Sequence, residues 1–178
     1  MEKLCHAILW ILEKSPNGRT RLDLAKLLYY SDGVHFQKHA EMITRGIYIH
    51  LEDSPYPVKL NEAIMFLKEK GHVSATPVIS AKGVQGFNLN FSQPLEGLIL
   101  TREEKRVMRK VNEAFRGKVV DESRHYPNLY ENYVVTPLYE AIPFDVARIN
   151  TKIHVFMQKS LLNLSGKIFR VLFERSPE

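Results

Sequence analysis

Asp32, His35 and His39 are the residues of this chain whose types and spacing could do chemistry. On a helix, positions i, i+3 and i+7 line one side, and two histidines four residues apart could share a metal ion. A catalytic zinc helix carries a glutamate directly after its first histidine, to activate the metal-bound water. Here Phe36, Gln37 and Lys38 fill that interval, which favours a hydrogen-bonded helix face over a metal site. Nucleophilic chemistry finds less support still. Cys5 precedes His6, but adjacent helical residues point about 100° apart, so Cys5 reads as a small buried apolar group. The chain contains no G-x-S-x-G, H-E-x-x-H or Walker A pattern. The acidic pairs Glu52-Asp53 and Asp121-Glu122 fall in turns, where acidic residues are common for conformational reasons. These readings point to a binding domain more than to an enzyme, with no cofactor expected.

Two further sets could make contacts. Tyr29, Tyr30, Tyr48 and Tyr56 could form an aromatic contact patch, since tyrosine is favoured at interfaces, or pack in a core with their hydroxyls at its rim. Arg102, Arg106, Arg109 and Arg116 fall on one helical stripe, interrupted by Glu113. Such a stripe could meet phosphates, although a solvated helix back is the commoner case. The bulk numbers bound both ideas. A net charge of +5 and a pI near 9.3 permit an acidic partner or nucleic acid without demanding either. A single cysteine excludes an internal disulfide framework and fits a reducing compartment. No apolar run reaches the roughly 18 residues that span a bilayer. The N-terminal MEKLCHAILWILEKS reads as a helix of a cytoplasmic protein, because its apolar middle is short and flanked by Glu2 and Glu13.

The elements that must position these residues follow from spacing. Leu4, Ile8, Ile11 and Leu12 predict a first helix over 2–14, stopped by Ser15-Pro16-Asn17-Gly18. Thr20 is an N-cap with Asp23 three residues on. The second helix, 21–39, is apolar nearly all round across Leu22 to Tyr30, the mark of a central buried helix. Ile43 to Leu51 predicts a turn and a short strand, and Asp53-Ser54-Pro55-Tyr56-Pro57 a rigid turn. A third helix over 58–70, ended by Gly71, precedes a hairpin of strands 72–79 and 84–91. Thr101 and Glu104 form a capping box for a fourth helix with Val107, Val111, Ala114 and Phe115 as its core stripe and Gly117 as its end. The pattern weakens over 118–145. The tail, 146–175, alternates like a strand and fits a helix equally well.

The run Leu22-x-x-Ala25-Lys26-Leu27-Leu28-Tyr29-Tyr30-Ser31-Asp32, followed by His35, resembles the motif helix of the Panacea domain family, the SocA-like and phage GepA-like antitoxins. His39-Ala40-Glu41-Met42-Ile43-Thr44 resembles the turn that follows it there, and Ile47-Tyr48-Ile49-His50 the strand. The chain departs from the family pattern at Ala40 and Ser54, where glycine is usual. The resemblance covers residues 4 to about 117. It implies a mainly helical cytoplasmic domain of bacteria or phages that binds a toxin encoded beside it, with no catalytic residue and no cofactor.

The expected fold is α+β and mainly α-helical: a helical core with a small hairpin, winged-helix-like in its middle order. A domain over 1–145 is expected, with a C-terminal extension over 146–178. The favoured function is a non-enzymatic antitoxin-like domain, whose candidate partner-binding residues are Tyr30, Asp32, His35, Tyr48, Asp53 and Tyr56. Asp32 and His35 could instead serve the scaffold, by hydrogen-bonding the neighbouring strand and turn. Two alternatives stay open: a DNA-binding regulator using Arg102, Arg106, Arg109 and Arg116, and an adaptor that delivers a client to a protease.

Overall fold

A central helix organises the protein, because one stretch of the chain is apolar on every side. The computed structural model describes residues 1–79, 83, 85–97, 99–116 and 121–144. The expected C-terminal extension, most of the 80–84 loop and the predicted helix end at Gly117 lie outside these residues. Among them the fold is α+β and mainly helical, with six helices and two antiparallel two-stranded sheets. Helix α1 (Glu2–Glu13) and helix α2 (Arg21–His39) match the first two predicted helices. Leu24, Ala25, Leu27, Leu28, Tyr29 and Tyr30 of α2 are all buried, as a helix apolar all round requires. Thr20 caps α2 in a box with Asp23: the Asp23 N–H donates to Thr20 Oγ1 (3.1 Å), and the Thr20 N–H donates to Asp23 Oδ2 (3.3 Å).

Strands β1 (Tyr48–Leu51) and β2 (Ser54–Pro57) form a hairpin. The segment expected to be a rigid turn is therefore a strand, and the turn itself is Glu52-Asp53. Register explains how two prolines fit. Pro55 and Pro57 pair with His50 and Tyr48, and the next hydrogen-bonded position is the Val58 N–H donating to the Ile47 carbonyl (2.9 Å). In this alternation neither proline's missing N–H would have faced β1. The outer edge of β1 is covered by residues 139–142. The Tyr139 and Ile142 N–H groups donate to the His50 and Tyr48 carbonyls, and the His50 N–H donates to that of Glu140.

Helix α3 (Leu60–Glu69) buries Leu60, Ala63, Ile64 and Leu67, and Gly71 beyond it adopts φ +74°. The second hairpin pairs β3 (Val73–Ile79) with β4 (Gln85–Phe91). Helix α3 followed by this hairpin keeps the predicted middle order, with the β1–β2 hairpin set between α2 and α3. Helix α4 (Arg102–Ala114) begins at the Thr101–Glu104 capping box and buries Val107, Met108 and Val111. Beyond it, where the sequence pattern weakens, stand α5 (Glu122–His125) and α6 (Pro127–Val135). Leu129, Asn132 and Tyr133 supply the buried side of α6.

Two backbone positions yield tests of this packing. Ala40 ends α2 at φ +59°, a left-handed conformation where its Cβ is strained, and it stands where the resembled family has glycine. Ala40→Gly is expected to raise stability by up to about 1 kcal/mol in chemical denaturation, since the strain removed exceeds the added unfolded-state entropy. Gly33 fits α2 against α6: a Cβ there would lie 2.4 and 2.5 Å from the two Cδ atoms of buried Leu129. Gly33→Ala should therefore cost about 1–3 kcal/mol through overpacking. Its effect should be smaller in a Leu129→Ala background, and strict additivity of the two would contradict the contact.

Candidate functional site

The polar end of α2 is a buried node centred on Asp32. The apolar run before it forces the helix through the core, so Asp32 arrives fully buried (0% exposed). A carboxylate there requires donors, and the loop after α2 supplies them. The Thr44 N–H donates to Oδ1 (2.9 Å), while the Thr44 hydroxyl and the Tyr48 hydroxyl (2.7 Å) both donate to Oδ2. Burial outweighs these bonds and pushes the Asp32 pKa above the ordinary aspartate value. Tyr48 is also fully buried, and burial followed by the Asp32 charge raises its pKa well above that of free tyrosine. Around Asp32 the loop is tied at both ends. His35 Nδ1–H donates to the Glu41 carbonyl (2.6 Å), and the Gly46 N–H donates to Thr44 Oγ1 (3.2 Å). Two left-handed residues, Ala40 and Arg45, let the chain turn tightly enough for both.

Aromatic side chains enclose this node. Tyr29, Tyr48 and Phe144 meet mutually with centroids 5.3–5.4 Å apart. Tyr30 stacks on Tyr126 at 4.8 Å, and its hydroxyl donates to Glu122 Oε2 (2.8 Å). Lys26 meets the other oxygen of Glu122 at 2.9 Å. The Tyr133 hydroxyl donates to the Leu51 carbonyl (2.7 Å), which fastens α6 to the hairpin.

The six candidate contact residues divide by exposure. Tyr30, Asp32, His35, Tyr48 and Tyr56 are buried, and Asp53 is exposed on the β1–β2 turn. Asp32 and Tyr48 bond to each other. Tyr30 reaches Glu122, His35 reaches its own loop, and the Tyr56 hydroxyl donates to Asn61 (2.7 Å). His39 lies beside His35, with ring centroids 4.5 Å apart, and faces Glu103 at 3.6 Å. Among the described residues no group of three metal-ligating side chains converges. Four residues outside the candidate set surround the node: Thr44, Glu122, Tyr126 and Tyr133. A Lys26–Glu122 pair 96 positions apart leaves no local trace, whereas Pro127 at the first turn of α6 and the spacing of Leu129, Asn132 and Tyr133 were readable cues.

The arginine stripe is broken electrostatically. Arg106 donates two bonds to Glu103, both 2.7 Å, and this bonding holds the Glu103 carboxyl down at about 2. Arg102, Arg109 and Arg116 are exposed.

Removing the Asp32 acceptor tests the node. Asp32→Ala leaves three buried donors without it and should cost about 3 kcal/mol or more, with Asp32→Asn costing less. The pH dependence carries a definite sign. A raised folded pKa means the native state holds the Asp32 proton more tightly than the unfolded chain does. Its stabilisation is fully present below the unfolded value and is lost as pH rises through the folded one. The stability of wild type relative to Asp32→Asn should therefore grow as pH falls from neutral toward the ordinary aspartate range. A flat or opposite trend in denaturation measured against pH would contradict it.

No curated protein and no solved structure matches the chain. The family description antitoxin SocA-like, Panacea domain, matches residues 24–124, more than half of the sequence. That span begins within α2, carries the Asp32 node and both hairpins, and ends in α5. The chain thus belongs to the SocA-like antitoxin family, and the Asp32 node lies within the matched Panacea domain.

Proposed function

We propose that this protein neutralises a protein toxin by direct contact and performs no catalytic step of its own. Membership of the antitoxin family carries the reading. The use of the motif's polar groups supports it: Asp32, Thr44, Tyr48 and His35 satisfy one another or nearby backbone, which suits a scaffold that holds a binding surface. On this reading Asp32, His35 and Tyr48 act from beneath, by fixing the loop and the hairpin it leads to, Tyr30 does so by holding Glu122 and Tyr126, and Asp53 stands where a partner could reach it. Among the described residues no helix is long and apolar enough to cross a membrane, and the protein acts in the cytoplasm beside its toxin.

The test begins with the protein encoded next to this one. Its expression alone should arrest growth, and co-expression of this chain should restore it. The two purified proteins should co-elute in a stoichiometric complex. Loss of the toxin only in cells that retain their proteases would assign the adaptor role instead. Restoration through repressed toxin transcription, with duplex DNA bound and no protein complex formed, would assign the regulator role.

A further inference from the structure

Helices α1 and α4 run side by side in the same direction. The Lys3–Glu104 ion pair (2.6 Å) joins their first turns, and Trp10 and Lys14 lie across from Arg109 and Arg116 near their last. Arg19 braces the far end, donating to Asn112 Oδ1 (2.8 Å) and to Ser15 Oγ (3.0 Å). Two cavities of about 220 and 210 Å³ open along this side of the molecule, and the Trp10 ring is a wall of both.

The cavities differ in chemistry. The first is lined mainly by apolar side chains, among them Leu9, Phe91, Leu95 and Leu100, with His6, Glu13 and Lys105 as its polar members. The second carries more charged side chains, Lys14, Arg109, Glu113 and Arg116, beside Trp10 and Asn112. Glu13 pairs with Lys14 at 2.9 Å. Among the described residues no ion pair or side-chain hydrogen bond engages Lys105, Arg109 or Arg116. Lys105 and Arg109 stand ~6 Å apart along the axis of α4, and Arg116 follows just beyond its end. The trough therefore offers an apolar socket followed by cations that have no ion-pair partner among the described residues.

We propose that this trough is the surface that holds the protein partner, and that it takes a segment bearing one large apolar side chain next to acidic residues. The inference rests on the antitoxin reading above and adds the place and chemistry of contact. Charge complementarity selects the acidic segment, and the socket beside Trp10 selects its anchor. A nucleic acid fits less well. Trp10, only 8% exposed, gives a base no open face to stack on.

The probe is a random peptide library displayed on phage and selected on the full-length protein. The selected peptides should be rich in Asp and Glu beside a single Leu, Phe or Trp. Arg109→Glu/Arg116→Glu should weaken their binding by at least about tenfold with an unchanged melting temperature, and Glu113→Gln should tighten it. A selected pool without acidic enrichment, binding unmoved by the charge reversal, or displacement of the peptides by a tighter-binding oligonucleotide would overturn the assignment. The neutralising partner separates the two readings. If the charge-reversed protein still captures and silences the toxin, the trough is wrong and the antitoxin function stands. If no protein toxin exists, the antitoxin function fails, and the library result still decides whether the trough binds acidic segments.

Discussion

Burial of the Asp32 carboxylate is the constraint on which the rest of this structure depends. A charge inside a core is costly unless donors surround it, and those donors must come from somewhere fixed. Here they come from the residues that follow α2, so the loop to β1 has little choice of path. Thr44 gives two of the bonds and Tyr48 the third. Because Tyr48 begins β1, satisfying Asp32 also sets where the first hairpin starts and which side of it faces the core. Strained backbone at Ala40 and Arg45 is tolerated since the node over-determines the loop between them.

Above this node the packing is aromatic and long-range. Tyr29 and Tyr30 are neighbours on α2 but look in different directions, one toward Tyr48 and Phe144, the other toward Phe115 and Tyr126. Each hydroxyl ends on a polar group from the far part of the chain, Leu129 or Glu122. Helices α5 and α6 are thereby recruited to the core that α2 starts. Gly33 allows the closest approach, at Leu129.

This arrangement explains why a family can be read from residues that a partner would scarcely touch. The run Lys26-Leu27-Leu28-Tyr29-Tyr30-Ser31-Asp32 is a folding device: every one of its side chains but Lys26 is buried, and Lys26 itself pairs with Glu122. The side formed by α1 and α4 is an outer face, where the helices are tethered by the Lys3–Glu104 pair at one end and by Arg19 at the other.

Local signals marked the helices α2, α3 and α4: the apolar run of α2, the Thr20 and Thr101 caps, and the apolar stripes of α3 and α4. Such signals are local, because a cap or a helical period is complete within a few residues. The family too was legible in the sequence, through the motif helix and the strand after it. The turn over 53–57 was misread because prolines argue against a strand until register shows that their missing donors are not needed. Helix α6 escaped notice among prolines and tyrosines whose partners lie far away in the chain. Which distant polar groups meet is settled only in the folded chain. Asp32 finding Thr44 and Tyr48, and Glu122 receiving both Lys26 and Tyr30, depend on elements brought together by the burial of other residues. Hydrogen bonds and ion pairs act over a few ångströms, and sequence spacing fixes distances that short only within a single helix or turn.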